Sequence, residues 1–131
     1  MQATLSSAEK VFQLLDTPQL IKDAAGAQTL PRVKGEVRFE NVDFGYDPAR
    51  LVLKQINLSI TPGQMVALVG QTGSGKTTIA SLVSRFYDIT AGNITIDGFD
   101  VRSVTQRSLR AQVGMVLQEP FIFSDTIAAN I

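Results

Sequence analysis

The first part of the chain has apolar positions that repeat with the period of a helix. Within residues 6–16, four apolar residues stand at i, i+3, i+4 and i+7 and predict one stripe: Ala8, Val11, Phe12 and Leu15. Ser6 and Glu9 have the spacing of a capping box, and Thr17-Pro18 ends the pattern. The stripe is explained equally well by packing on the rest of this chain and by packing on a partner.

The helical period disappears in residues 23–34, which read DAAGAQTLPRVK and contain Gly26 and Pro31. Glycine and proline interrupt regular structure, so we interpret this stretch as a linker. The boundary of the domain that follows is then placed near Gly35.

An alternation of apolar and polar residues begins after the linker. Residues 36–44 alternate with a change of phase near Asn41, which predicts a strand with a β-bulge at that point. Residues 55–60 alternate again and predict a second half-buried strand. Turns are predicted at Asp47-Pro48-Ala49 and at Pro62-Gly63.

A different pattern begins at residues 65–69, MVALV, which are apolar on both faces like a central strand covered from two sides. A glycine-rich turn follows, and a helix is then predicted from apolar residues at helical spacing: Ile79, Leu82, Val83 and Phe86. Residues 93–98 predict a short strand and turn, 105–111 a short helix, and 113–117 a second buried strand. Strands alternating with helices predict an α/β layer, to which the earlier strands make an antiparallel addition.

Composition narrows the classes of function. The 131 residues carry 12 basic and 12 acidic side chains, so charge gives no reason to expect nucleic-acid binding. Because cysteine and histidine are both missing from the sequence, disulfides, thiolate metal sites and imidazole catalysis are excluded within this chain. No apolar run approaches the roughly 18 residues of a membrane helix, and the first residues lack a secretory signal. We therefore expect a soluble chain.

Residues 70–77 match G-x-x-x-x-G-K-[ST] at every fixed position: Gly70, Gln71, Thr72, Gly73, Ser74, Gly75, Lys76 and Thr77. Glycines bring backbone N–H groups against phosphate oxygens, and the following helix directs the positive end of its dipole at them. Lys76 supplies a compact charge for the β- and γ-phosphates, and Thr77 a hydroxyl for Mg²⁺. The motif predicts a nucleotide-binding P-loop. A chance match is disfavoured by the apolar strand before it and the helix after it.

Asp97 also follows an apolar strand, a position at which a carboxylate can bind Mg²⁺. The run TIDG is better explained as a hairpin turn, because Asp-Gly supplies the backbone geometry of such a turn. We therefore assign no metal to Asp97.

Three motifs occur in the order seen in ATP-binding cassette (ABC) proteins: Phe44-Gly45-Tyr46, the Walker A run of residues 70–77, and Val116-Leu117-Gln118-Glu119-Pro120. Longer runs resemble the nucleotide-binding domain of ABC exporters: VLKQINLSITPGQMVALVGQTGSGKTT, ITIDGFDVR, SLRAQVGMVLQEP and IFSDTIAANI. Residues 6–16 resemble the helix that connects such a domain to its transmembrane bundle. The resemblance covers nearly the whole chain, with a small departure at Ile89, where the family often has proline.

The resemblance implies a role for each matching residue. Tyr46 would be the aromatic residue of the A-loop, stacking on adenine, and Thr78 would lie beside the α-phosphate. Gln118 would be the Q-loop glutamine that reaches Mg²⁺ or the attacking water, although by itself a glutamine after an apolar strand indicates only a solvated strand end. Lys76 and Gln118 are thus the candidate catalytic residues, and Thr77 and Gln118 are the candidate metal ligands.

The resemblance also implies an organisation. Residues 1–22 would be the connecting helix from a transmembrane domain and 23–34 the linker. Residues 35–131 would be the front part of an ABC ATP-binding domain, a partial P-loop NTPase core with an antiparallel β-subdomain. The family's LSGGQ signature, Walker B aspartate, catalytic glutamate and switch histidine have no identified counterpart in the sequence. We expect the chain to bind ATP and Mg²⁺ without efficient hydrolysis, and to associate with itself through uncovered apolar strands.

In the parent protein, ATP binding and hydrolysis would drive export of a solute or lipid, with this domain on the cytoplasmic face of the membrane. The implied partners are the transmembrane domain of the same transporter and a second nucleotide-binding domain, with no nucleic acid. Three other hypotheses are a small P-loop kinase or GTPase, a soluble ABC ATPase outside transport, and a structural module with an unused site. The first leaves Tyr46 and Gln118 unexplained, and the resemblance of residues 6–16 disfavours the second.

Overall fold

The computed structural model describes most of the chain: residues 10, 12–13, 15–18, 20–47, 49–116 and 123–130. Of the predicted first helix, residues 10, 12, 13 and 15 are helical, whereas Ser6 and Glu9 lie outside the described residues. Phe12 and Leu15 are 63% and 72% exposed. These two described residues of the apolar stripe are therefore mostly open to solvent; Ala8 and Val11 lie outside the described residues.

The centre of the fold is a four-stranded antiparallel sheet with the order β2-β1-β3-β4. Its strands are β1 (Val37–Phe44), β2 (Leu53–Ile60), β3 (Ala91–Ile96) and β4 (Phe99–Asp100). The predicted bulge in β1 is confirmed, because the register shifts between Phe39 and Val42 and Asn41 has a φ of 49°. The Asn57 side chain accepts the Asn41 N–H at 3.0 Å, which satisfies the displaced backbone.

Besides the helical residues between positions 10 and 15, the described part of the chain forms three helices: α1 (Lys76–Val83), α2 (Gln106–Arg110) and α3 (Ile127–Asn130). The helix predicted after the glycine turn is confirmed as α1, although Phe86 lies beyond its end. Thr105 caps α2 by accepting the N–H of Ser108. The most deeply buried side chains come from the sheet, from α1 and α2, and from the segment before α2: Val42, Ile94, Leu82, Leu109 and Val104. The core thus lies between one face of the sheet and the helices α1 and α2.

Residues 65–69 do not form the predicted buried strand. They have no regular secondary structure, and Met65 and Val69 are 97% and 93% exposed. The prediction for 113–117 also fails over the described residues 113–116, where Val116 is 97% exposed. The reason is that a central strand needs neighbouring strands for its backbone hydrogen bonds, and none in the described ranges pairs with either segment.

The segment of residues 21–34, which we call the strap, is irregular in structure but is packed on the domain. Leu30 is 4% exposed and belongs to the core, and its N–H is donated to the Ser108 hydroxyl at 2.9 Å. The N–H of Val33 is donated to the side-chain carbonyl of Gln112 at 2.8 Å. Residues 23–34 are predicted as a linker; the structure adds that several of them, Leu30 and Val33 among them, are hydrogen-bonded to the domain. The boundary near Gly35 stays a prediction.

Asp97 joins the end of the strap to the turn between β3 and β4. Asp97 and Gly98 have φ values of 48° and 83°, which confirms the predicted Asp-Gly hairpin. The Asp97 carboxylate accepts the backbone N–H groups of Lys34, Gly35 and Glu36. The hydrogen bond from Lys34 is the largest of the contributions that hold the pKa of Asp97 below its ordinary value of 3.8.

The Asp97 contacts predict a pH dependence of folding. Because the pKa of Asp97 is lower in the folded chain than in the unfolded chain, its contribution to stability is present above about pH 4 and is lost as the pH falls below that value. We expect Asp97→Asn to lower the free energy of unfolding at neutral pH and to flatten its fall between about pH 5 and pH 3. Urea unfolding at a series of pH values measures this. Asp16→Asn, in an exposed turn, is the control, and an equal flattening in that variant would contradict the assignment.

Candidate functional site

The glycine-rich loop of residues 70–75 leads directly into α1; residues 70–74 are exposed and Gly75 is buried. Gly73 and Gly75 have φ values of 83° and 91°, which only glycine adopts without strain. A Cβ at Gly75 would also lie 2.6 Å from the Leu53 side chain at the start of β2. The backbone angle therefore favours glycine at position 75, and a larger residue would also have to displace the Leu53 side chain.

The ammonium group of Lys76 lies inside this loop. Its Nζ donates hydrogen bonds to the carbonyl oxygens of Gly70 at 2.9 Å and Gln71 at 2.8 Å, and lies 3.4 Å from the Ser74 hydroxyl. The loop is thus folded around a positive charge at the N-terminal end of α1. The first N–H groups of a helix have no partner within the helix, so this end presents both donors and charge.

The two threonines after Lys76 have different surroundings. Thr77 is exposed on the first turn of α1, close to the loop. Thr78 is 5% exposed, and its hydroxyl is 3.0 Å from the hydroxyl of Tyr46. The structure therefore links the segment after β1 directly to the helix that carries Lys76.

Tyr46 is 57% exposed and is held by two further aromatic rings. The centroids of the Phe44 and Tyr87 rings each lie 5.0 Å from the centroid of the Tyr46 ring, with interplanar angles of 82° and 88°. Tyr46 thus has a fixed ring with more than half of its surface open to solvent, which suits it to stacking on a planar ligand.

The structure brings together the Walker A loop, Thr77, Thr78 and Tyr46, but Gln118 lies outside the described residues. Sequence reasoning did not identify Phe44 or Tyr87 as part of the site. Strand β2, the glycine-rich loop and α1 separate Tyr87 from Tyr46 along the chain. Only the aromatic character of Tyr87, in the run RFYD, could therefore have suggested a contact. Among the described residues, no group of three or more acidic, histidine or cysteine side chains could hold a metal ion.

Residues 53–130, more than half of the chain, match the protein family described as ABC transporter. The chain belongs to this family. The match begins at β2 and includes the whole Walker A loop, so the family assignment and the geometry of the loop refer to the same residues. The predicted resemblance to ABC exporters is confirmed by relatives and by a solved structure.

One relative is an uncharacterised ABC transporter ATP-binding protein, YknV, of Bacillus subtilis, which is 46% identical over 97% of this chain and 21% of its own length. Another is a fatty acid ABC transporter ATP-binding/permease protein of Mycobacterium bovis, 45% identical over 100% of this chain and 20% of its own length. A solved structure of a bacterial Atm1-family ABC exporter with ATP bound is 43% identical, with a TM-score of 0.82, over 96% of this chain and 22% of that one. The chain thus spans about a fifth of the length of these proteins.

The fold class is accordingly a partial P-loop NTPase domain with an antiparallel sheet, matching part of an ABC exporter. Membership of this family implies ATP binding. In the part of the chain that the structure describes, no helix has the length and apolar character needed to cross a bilayer.

Proposed function

We propose that this chain binds Mg·ATP as the nucleotide-binding part of an ABC exporter. The observation that carries the proposal is the position of the Lys76 ammonium within the glycine-rich loop, within 2.9 Å of the Gly70 and Gln71 carbonyl oxygens. A phosphate at the N-terminal end of α1 would meet this charge together with backbone N–H groups of the loop and of the first helical turn. The donor set fits a polyphosphate.

The phosphate-binding residues would be those of the Walker A run, Gly70 to Thr77, with Thr78 beside the α-phosphate. Mg²⁺, when bound, would neutralise charge on the β- and γ-phosphates. Thr77 fits a ligand for this hard cation, because its hydroxyl is exposed on the first turn of α1. Gln118 is proposed as a second ligand and as the residue nearest the attacking water.

The adenine base would stack on Tyr46. The ring is exposed, and its hydroxyl group is paired with Thr78, so the base-stacking ring and the phosphate-binding helix are tied together. A stacked ring contacts the face of a purine and not the edge groups that distinguish adenine from guanine. We therefore expect Mg·ATP and Mg·GTP to bind with similar affinities.

For the whole protein, we propose that ATP binding and hydrolysis drive export of a solute or lipid across a membrane. The relatives with fused ATP-binding and permease parts support a transmembrane domain as a partner. A second nucleotide-binding domain would complete the ATP site, and both domains would lie on the cytoplasmic face. The alternative, a soluble ABC ATPase outside transport, is not favoured by these relatives.

The 131-residue chain by itself is proposed to bind nucleotide with little turnover. Phosphoryl transfer needs a group that orients the attacking water, and the sequence has no identified counterpart of the family's Walker B aspartate and catalytic glutamate. The proposal is tested by titrating the chain with Mg·ATP and Mg·GTP in a calorimeter, with a phosphate-release assay in parallel. Saturable binding with negligible phosphate release supports it. Robust hydrolysis, or a clear preference for Mg·GTP, would contradict it.

The exposed apolar residues of the segments 65–69 and 113–116 lead to a prediction about assembly. Met65, Val69 and Val116 are each more than nine-tenths exposed, and exposed apolar side chains favour association when another copy can cover them. We expect light scattering after gel filtration to give masses above the 14.2 kDa monomer, increasing with concentration. The double variant Met65→Ser, Val69→Ser should shift the distribution towards monomer.

The control for this experiment is Leu20→Ser, which removes an 89% exposed leucine from a different part of the surface. It should leave the distribution of masses unchanged. A well-dispersed monomer of the unsubstituted chain at all concentrations would show that these residues do not drive association.

A further inference from the structure

The ring of Tyr46 belongs to a group of three aromatic side chains, Phe44, Tyr46 and Tyr87, which we call the aromatic triad. The centroid of the Tyr46 ring lies 5.0 Å from the centroid of each of the other two rings. The Phe44 and Tyr87 centroids are 5.7 Å apart, with an interplanar angle of 49°. Phe44 is 2% exposed and anchors the group in the core, whereas Tyr87 is 42% exposed. Near-perpendicular rings at this distance attract each other beyond their burial of area.

Tyr87 is held in place independently of Tyr46. It lies in the turn after α1, where Arg85 has a φ of 49° and its guanidinium is 2.7 Å from the Asp88 carboxylate. Arg85 is 4% exposed, so this ion pair is partly sheltered from water. Just beyond the turn, the N–H of Thr90 is donated to the carbonyl oxygen of Asp43 in β1 at 2.9 Å. The turn is thus attached to the strand that leads to Tyr46.

The backbone that leads to Tyr46 is constrained as well. Gly45 separates Phe44 from Tyr46, and a Cβ at this position would clash with the carbonyl oxygens of Arg50 and Asp47. The chain must therefore pass close to the 47–50 turn before it reaches Tyr46. The N–H of Val52 is donated to the Phe44 carbonyl oxygen at 2.7 Å, which fixes the start of this passage.

An exposed tyrosine without neighbours changes rotamer in picoseconds to nanoseconds and must be ordered before a base can stack on it. Contact with the Tyr87 ring on one side and the bond to Thr78 on the other reduce this freedom before nucleotide arrives. We propose that Tyr87 is a positioning residue that pre-orders Tyr46 for stacking on the nucleotide base. The inference rests on the proposed function, since it requires that Tyr46 contact the base.

Binding measurements on the full chain separate the base from the phosphates. Loss of one aromatic contact corresponds to about a 2- to 10-fold change in affinity. We therefore expect Tyr87→Leu, which keeps apolar volume but removes the ring, to weaken Mg·ATP binding by that factor and to leave binding of magnesium tripolyphosphate unchanged. Tyr87→Phe keeps the ring and should bind both ligands like the unsubstituted chain. Phe86→Ala is the matched control, because Phe86 is similarly exposed at 45% and its ring lies under Arg110, 4.8 Å from the guanidinium carbon.

A spectroscopic measurement reports the order of Tyr46 directly. The chain has two tyrosines and no tryptophan, so either substitution of Tyr87 leaves Tyr46 as the only tyrosine. Time-resolved fluorescence anisotropy without nucleotide then compares the ring motion of Tyr46 in the two variants. We expect a larger rapid component in Tyr87→Leu than in Tyr87→Phe, a difference that a general loss of stability would not produce in chains with matching far-UV circular dichroism.

The outcomes distinguish this inference from the proposed function. Equal Mg·ATP affinity in Tyr87→Leu and Tyr87→Phe, equal anisotropy decays, or a parallel loss of tripolyphosphate binding would each overturn the role of Tyr87 while leaving ATP binding established. A similar loss in Phe86→Ala would also overturn it. If the unsubstituted chain binds tripolyphosphate and ATP equally tightly, the base makes no contribution and the inference fails. If it binds neither ligand, the proposed function fails with it.

Discussion

Lys76→Ala is expected to weaken binding of Mg·ATP about 10- to 100-fold, because a hydrogen bond to a charged group contributes about 1.5–3 kcal/mol. The Nζ atom of Lys76 has two roles in the structure. It supplies the positive charge at the loop, and it bonds to the carbonyl oxygens of Gly70 and Gln71, which keeps the loop curved. The substitution removes both, so binding of tripolyphosphate should fall together with binding of ATP. Calorimetric titration of both ligands measures the effect.

The matched control is Lys54→Ala, which removes an exposed lysine from β2 and leaves the net charge equal to that of Lys76→Ala. Comparing the two variants cancels any general electrostatic attraction between the chain and a polyanion. We expect Lys54→Ala to bind Mg·ATP almost as the unsubstituted chain does. Equal losses in the two variants would mean that net charge, and not the glycine loop, accounts for binding.

Leu82→Ala is expected to lower the free energy of unfolding by about 2–5 kcal/mol, the range for a buried leucine replaced by alanine. Leu82 is 1% exposed and belongs to the core together with residues of the sheet and of α2. It lies on the same helix as Lys76, so its packing keeps the proposed phosphate-binding end of α1 against the domain. Urea unfolding followed by far-UV circular dichroism measures the change. A loss of this size is a large part of the total stability of a domain.

Leu20→Ala makes the same chemical change at a position that is 89% exposed. It should change the free energy of unfolding by less than about 0.5 kcal/mol, as is usual for surface positions. If the two variants unfold alike, α1 is not held by the core that the structure shows. Ligand binding by Lys76→Ala thus tests the chemistry of the glycine-rich loop, and the unfolding of Leu82→Ala tests the packing that positions this loop.

Several local features followed from the sequence alone. The bulge at Asn41, the Asp97-Gly98 hairpin and the helix after the glycine turn each depend on residues close together in the chain, and the structure has all three. The Walker A run belongs to the same class, because its glycines, lysine and threonine are consecutive and their spacing already specifies a loop at a helix N-terminus. Short-range patterns of this kind determine local geometry with little help from the rest of the fold.

Other features were decided only by tertiary structure. Apolarity on both faces predicted a central strand at 65–69, but a strand requires paired neighbours, and in the described residues this segment has none. The strap lacks any period, yet Leu30 enters the core because Ser108 and Gln112 lie where its backbone passes.

The contact between Tyr46 and Tyr87 is the clearest case at the candidate site. Neither the A-loop motif nor the turn after α1 indicates it, because it depends on β1 and that turn being joined by the bond from Thr90 to Asp43. The sequence determined which residues have the chemistry to bind a nucleotide. The tertiary structure decided which distant side chains hold them in place, because contacts between distant segments follow from the packing of the whole chain and leave no local pattern.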